Sequence, residues 1–360
     1  MSQERAFRWL CEYVTLLAVT VGVVPIAYMR GRRVRVMESF VDRSMNTIGW
    51  PLAACPDIAS IECAKDSRRA SRTAAVLIAG DQQRLLLSST LRRVVERMSV
   101  DGFSVFVYMW LGPDTPDGKR PTAAFPGEEL SVGHIARSAL RQHIYDSVAA
   151  SGGCLACAAM PQKFDAGKIP EAKGQLSQYP PSSTNTGKAV LATWLMRENL
   201  WQQALAVEKK LGVKHDLVMW VRSQSYWFAS LQPSGLLSQP DASKKVWTRD
   251  CPAAGGIHDK VVIMGRDAAP AMLTLHSRFS KQHKSPTANA EQYLLAVTTE
   301  SQLTVSMLSF DSIPERGAVL KGDQKTAVLC ILRSSACGGD LERFNTSAGF
   351  CENLTDDTLS

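Results

Sequence analysis

The sequence has no internal repeat, no low-complexity tract and no block of basic residues. Lys and Arg number 41 against 34 Asp and Glu, a net +7 spread thinly over 360 residues. That distribution argues against a dedicated nucleic-acid binder, which concentrates its basic residues on one face. Cysteine is too scarce, at nine residues, for a disulfide-dense miniprotein. The one CxxC, Cys154 to Cys157, has no second CxxC and no histidine pair at ligand spacing. It therefore argues against a zinc site and leaves a redox pair or a structural disulfide. With 45% hydrophobic and 21% charged residues, the composition excludes wholesale disorder, a collagen repeat and a multi-span membrane protein. The length accommodates two domains or one large α/β domain.

Charge is also missing from Tyr13 to Met29, a 17-residue run at the lower limit for a membrane-spanning helix. Arg5 and Arg8 precede it, and Arg30, Arg32, Arg33 and Arg35 follow. No small-residue cleavage site stands just beyond, which favours an uncleaved anchor over a cleaved signal peptide or a buried core helix. Its orientation is open to two readings. The arginines after the run favour a cytoplasmic C-terminal side. The sequons at Asn345 and Asn353, and the even set Cys55, Cys63, Cys154, Cys157, Cys251, Cys330, Cys337 and Cys351, favour an oxidising lumen. The lumen is the preferred expectation. A tail (1–12), the anchor (13–29) and a stem (30–72) would then precede a folded domain at 73–335, with a C-terminal tail at 336–360.

Within that domain, the apolar runs 73–80 and 103–111 read as buried strands. Between them Leu87, Leu91, Val94 and Met98 mark one face of a helix. A loop at 112–118 holds Asp114 and Asp117, and a helix is expected over 128–150. Residues 151–187 read as a long irregular stretch carrying Lys163, Lys168 and Lys173, with Lys188 just beyond it. A helix over 188–211 presents Val190, Trp194, Trp201 and Leu205 as a core face. Runs at 215–222 and 259–265 read as strands, helices begin near Arg266 and Ala288, and late strands lie at 303–308 and 326–332. Strands alternating with helices predict an α/β sandwich around a mostly parallel sheet.

In an open α/β sheet the crevice at the strand C-termini is the default ligand site. The first strand ends at Gly80 with Arg84 in the turn after it. The third ends at Arg222, three residues before Ser225. A Gly255-Gly256 turn leads into His258-Asp259, and Glu291 opens a late helix. In this order the segments resemble a family of eukaryotic glycosyltransferase-like proteins, typically type II membrane proteins of the Golgi. Their pattern runs Ser-Gly-Gln-x-Arg, Arg-x-Arg-x-Asp, Gly-Gly-x-x-Asp-Arg and Asn-x-Glu-x-Leu. The resemblance covers roughly 73–335, apart from the long irregular stretch. It implies a GT-A-like αβα sandwich that binds a nucleotide-sugar donor and moves the sugar to a glycan or protein acceptor. Gly80, Arg84, Arg222, Gly255 and Gly256 would serve the nucleotide, and Arg84 and Arg222 would stabilise the departing diphosphate. Asp259 is the candidate catalytic base, with His258 and Glu291 as further site residues. The turn after Gly80 is one residue longer than the pattern, and Lys260 stands where the family often has arginine.

One departure bears on metal use. Ser225 stands where the pattern has a carboxylate, the residue with which a GT-A enzyme holds a divalent cation such as Mn²⁺ against the diphosphate. Serine is a poor ligand for that hard cation, so the metal ligands are unknown. The rival reading is a catalytically inactive relative that keeps the fold as a binding or scaffold module of the same membranes.

Overall fold

The computed structural model of the chain describes residues 72–82, 85, 87–112, 137–160, 185–223, 225–227, 230–249, 255–281 and 287–308, and strand backbone at 312–314, 317–321, 328–332 and 350–353. Among them no helix is long and apolar enough to cross a membrane. The expected anchor Tyr13–Met29, the tail before it and the stem up to residue 71 lie outside the described residues, as do Arg84, Asp114, Asp117, Lys163, Lys168 and Lys173.

Seven strands form the main sheet: β1 (Arg72–Asp81), β2 (Phe103–Gly112), β3 (Gly153–Ala159), β4 (Leu217–Arg222), β6 (Lys245–Arg249), β7 (Val261–Gly265) and β8 (Thr304–Leu308). Their order across the sheet is β3-β2-β1-β4-β7-β6-β8. The pairings β1–β2, β1–β4, β2–β3 and β6–β8 are parallel. Only β7 runs against its neighbours, antiparallel to both β4 and β6. β5 (Ser225–Trp227) leaves the main sheet after β4 and pairs with β9 (Ser312–Pro314). β10 (Gly317–Lys321), β11 (Val328–Leu332) and β12 (Phe350–Asn353) form a separate antiparallel sheet. The late run at 326–332 is therefore not part of the main sheet, and the stretch expected as a C-terminal tail contains β12.

Helices cover both faces because successive strand residues point opposite ways. Val76, Ile78, Val107, Met109, Met219 and Val221 share one core with Val94, Met98, Leu140 and Ile144 from the helices on that side. Trp220 points the other way and carries Arg197, from the helix Asn185–Leu211, 4.2 Å above its ring. Trp194 and Trp201 of that helix are fully buried, as their spacing predicts. The helix after β1 passes through a π-turn at Leu91–Val95 before ending at Val100.

Two strands of the main sheet escape the sequence pattern, as do the strands β5, β9, β10 and β12 outside it. β3, GCLACAA, falls inside the supposed irregular stretch. It has no β-branched residue and its small side chains give no alternation. β6 is only five residues long. The strand expected over 259–265 begins at Val261, two helices rather than one follow it (Ala269–Leu273 and Leu275–Lys281), and the late helix is Ala290–Glu300.

Cys154 and Cys157, both buried in β3, are disulfide-bonded, and Cys330 stands opposite Cys351 in the β11–β12 register. Alkylation of the unfolded, unreduced protein should therefore leave Cys154 and Cys157 unlabelled in peptide mass spectra. Labelling of either as a free thiol would remove the disulfide reading.

Candidate functional site

The sheet's strand ends bring the motif residues together. Ala79 of β1 stands opposite Arg222 of β4, and the Ser223 amide donates to the Ala79 carbonyl at 2.9 Å, extending the ladder one residue past the end of β4. Gly80 is required there. A Cβ on it would lie 2.0 Å from Ser223 Oγ and 2.9 Å from Ser223 Cβ, and its φ is +154°. On the other side of β4, the Arg222 amide donates to the Lys260 carbonyl at 3.1 Å. Because β7 is antiparallel, its N-terminal end lies at the C-terminal edge of β1 and β4. Asp259 and His258, which precede it, therefore arrive beside Arg222.

Asp259 is the hub of the cluster. Its Oδ2 accepts from Arg222 Nη2 at 2.5 Å, with the two side chains 8% and 26% exposed respectively. Its main-chain carbonyl accepts from Arg197 Nη2 and from Trp220 Nε1, both at 3.0 Å. Burial pushes the Asp259 carboxyl up, but Arg222 and then Arg197 outweigh it and hold the group below the usual carboxylate range. Burial likewise lowers Arg197 to about 9, against the attraction of Asp259. His258 is buried, and desolvation lowers it to about 4, so its imidazole is neutral at neutral pH. Its carbonyl accepts from Thr248 Oγ1 at 3.0 Å, while Nδ1 is buried without a partner.

The Gly255-Gly256 turn docks on the helix Ala290–Glu300. Gly255 has φ +81°, and a Cβ on Gly256 would lie within 2.0–2.4 Å of backbone atoms of Glu291 and Gln292. The Ile257 amide donates to the Glu291 carbonyl at 3.0 Å. The helix start is fixed by Asn289, whose side chain accepts from the Gln292 amide at 2.8 Å. Glu291 is thereby held next to the His258-Asp259 segment. Burial and then the Asp259 charge raise its carboxyl above the ordinary value, against its own backbone hydrogen bond and the weaker pull of Arg222 and Lys260. Its Oε2 is buried and unpartnered.

Ser225 begins β5 beyond the end of β4. It is 1% exposed and its Oγ has no hydrogen-bond partner. Arg222 Nε, His258 Nδ1 and Glu291 Oε2 are thus three buried polar atoms of the cluster without partners, and Ser225 Oγ, three residues beyond Arg222, is another such atom in β5. Each costs free energy in that state and is stabilised by a polar ligand that meets it. The same residues suit a divalent cation badly. Ser225 offers a neutral hydroxyl, the Asp259 carboxylate is engaged by Arg222, and among the described residues no three His, Cys, Asp or Glu side chains stand together as a ligand group.

The structure thus joins Arg222, His258, Asp259 and Glu291 around the turn Gly255-Gly256 and sets Gly80 against the end of β4. Arg84 lies outside the described residues. Arg197 and Trp220 were missed in the sequence reading. The available signal was an arginine between Trp194 and Trp201 on the apolar face of the helix, since arginine is almost never fully buried unless paired.

No family model and no curated protein sequence matches the chain. Among solved structures, the apo-form glycosyltransferase GlyE of Streptococcus pneumoniae TIGR4 is similar at 12% identity and TM-score 0.33, over 65% of this chain and 45% of that one. The chain thus spans less than half the length of GlyE. A nucleoside-diphosphate-sugar pyrophosphorylase from Vibrio cholerae RC9 is similar at 8% identity and TM-score 0.33, over 67% of this chain and 94% of that one. Mouse xyloside xylosyltransferase 1 is similar at 9% identity and TM-score 0.32, over 66% and 84%.

Proposed function

We propose that the protein binds a nucleotide sugar at this strand-end cluster and transfers the sugar to a glycan or protein acceptor. One observation carries the reading. The Arg222–Asp259 pair stands at the strand-end crevice where an open α/β sheet takes its ligands, beside His258 and Glu291, whose Nδ1 and Oε2 are buried without partners. The sequence motifs around Gly80, Arg222, Gly255-Gly256 and Glu291 support the same assignment. Arg222, with Arg84 from the turn after β1, would meet the diphosphate and stabilise it as it departs, as preorganised cations do for a developing anion. The hydroxyl proton of the acceptor would pass to one of the two carboxyl groups of the cluster, Asp259 or Glu291. The residues present do not fit a divalent cation, so no step is assigned to one.

Calorimetry with uridine and guanosine diphosphates tests the binding half. Arg222→Lys keeps a positive charge beside Asp259 but removes the planar fork that grips a diphosphate. Affinity should fall about tenfold or more, roughly 1.4 kcal/mol. Unchanged affinity would take Arg222 out of the donor site. Donor consumption separates an enzyme from the second reading, a catalytically inactive binding protein. That reading is favoured by the engagement of Asp259 with Arg222 and by Ser225 in place of an acid.

The position of Ser225 makes a separate prediction. In the wild type, Mn²⁺ should add little to nucleotide affinity. Ser225→Asp should create metal-dependent binding, because a carboxylate would again face the diphosphate across the cation. The comparison is affinity with Mn²⁺ and with chelator in both proteins. Strong Mn²⁺ dependence in the wild type would mean that other carboxylates, such as Asp114 or Asp117, hold a metal.

We also propose that Tyr13–Met29 anchors the chain in a Golgi or endoplasmic-reticulum membrane with the folded domain in the lumen. The bonded state of Cys154 and Cys157 suits that oxidising compartment. Glycosidase-sensitive mobility of the expressed chain would support the lumenal side, and its absence would favour the cytoplasmic orientation.

A further inference from the structure

The two carboxyl groups of the cluster are held in opposite ways. Asp259 is committed on both of its oxygen-bearing ends: the carboxylate to Arg222 at 2.5 Å, the main-chain carbonyl to Arg197 and Trp220. A guanidinium beside a carboxylate stabilises its charged form and so makes it a weaker base; Arg222 holds Asp259 in that state. Glu291 has no such clamp, and its Oε2 is buried without a partner. The contact of Gly256 with the Glu291 backbone fixes the start of the helix against the His258-Asp259 segment, so Glu291 cannot drift away from the site. We infer that Glu291 is the proton acceptor of the site and that Asp259 is a positioning residue, which aims Arg222 at the donor diphosphate. This rests on the reading of the site as a sugar-transfer site.

The step balances without a further reagent. The acceptor oxygen forms a bond to the anomeric carbon as the bond from that carbon to the diphosphate oxygen breaks. The nucleoside diphosphate leaves with the electron pair, and the hydroxyl proton passes to Glu291 Oε2. Water can replace the acceptor hydroxyl, which gives donor hydrolysis. The electrostatics agree with the division of roles. Burial and the charge of Asp259 raise the Glu291 carboxyl, its own backbone hydrogen bond, Arg222 and Lys260 oppose that rise, and His258 beside them is neutral. Carboxyl groups whose surroundings push them apart in this way take different parts in acid–base chemistry.

The experiment uses the purified full chain in detergent, with Glu291→Gln and Asp259→Asn beside the wild type and thermal unfolding as a check on folding. Uridine and guanosine diphosphates probe binding by calorimetry. UDP-glucose, UDP-galactose, UDP-N-acetylglucosamine and GDP-mannose probe hydrolysis. Glu291→Gln should keep nucleotide affinity within about threefold and lose about 10²- to 10⁴-fold in kcat. It should also lose the acid limb of the pH–rate profile, the limb that reports ionisation of the general base. Asp259→Asn should weaken nucleotide binding about tenfold and keep that limb. Full turnover by Glu291→Gln, or loss of the acid limb in Asp259→Asn instead, would overturn the assignment while leaving the site reading intact. A wild type that neither binds the diphosphates nor consumes any donor would end the site reading, and the role of Glu291 with it.

Discussion

Replacing Asp259 with alanine is expected to destabilise the protein by about 3–5 kcal/mol, the usual cost of breaking a buried ion pair from one side. Asp259 is 8% and Arg222 26% exposed, so water does little to screen the cation that is left behind. Arg197, wholly inside the protein, would lose the nearby negative charge that partly offsets its desolvation. Asp259→Asn should cost less, because the amide oxygen can still accept from Arg222. Urea unfolding of the three proteins measures the difference. A loss under about 1 kcal/mol for the alanine variant would place the pair among screened surface bridges and would weaken the case for Asp259 as the hub.

Acidification from about pH 7 to about pH 5 should remove roughly 4 kcal/mol of stability through His215 and His258, about 2 kcal/mol from each. His276, also lowered by burial, adds to the loss, and Glu291, raised by burial, opposes it. His215 lies before β4 with its amide on Glu208 Oε1 at 2.8 Å and its Nε2 3.2 Å from Tyr108 Oη. Burial, and then the Arg266 cation held on Glu208 at 2.6 Å, lower it to about 3. His258 is lowered to about 4, chiefly by burial. In the unfolded chain both would bind a proton near pH 6.5, whereas the native fold resists it. Between those values the unfolded state holds more protons, so stability is full above about pH 6.5 and falls as pH drops toward the folded values. Asp259, also lowered in the fold, adds a loss in the same direction at lower pH. Urea midpoints across this range give the slope. His215→Gln, which cannot take up a proton, should flatten it by about half. Equal stability at the two pH values would mean that neither histidine is held neutral by the fold.

Much of the site was legible along the chain, because its chemistry is carried by residues whose types are constrained locally. A Cβ at Gly80 would collide with Ser223 and one at Gly256 with the backbone of Glu291 and Gln292, while Gly255 takes a φ of +81° that favours glycine. Arg222 ends an apolar run, and a strand that ends in a charge is ending at an edge. The long helix was legible from its tryptophans, since a 3.6-residue period survives over many turns. The small strand β3 was not, because cysteine and alanine carry no β signal and its place is set by the neighbour β2. β6, KVWTR, has only two adjacent apolar residues between charged ends and so shows neither an apolar run nor an alternation.

What the sequence determined by itself is the inventory: buried strands, a covered sheet, glycines at close approaches and a set of charges near strand ends. What only the tertiary structure decided is which charges meet. The reversal of β7 does most of this. Had it run parallel to β4, Asp259 would stand at the opposite end of the sheet from Arg222. Its antiparallel course brings Lys260 onto the Arg222 amide and Asp259 onto the Arg222 guanidinium. Strand direction is fixed by long-range pairing, not by the residues of the strand, so no reading of the local sequence could supply it. The same holds for Arg197, whose place above Trp220 depends on how a distant helix lies across the sheet, and for the difference between Asp259 and Glu291. Asp259 follows a Gly-Gly turn and Glu291 opens a helix, and neither position reveals its neighbours. One is clamped and the other left open because of what the fold puts beside them.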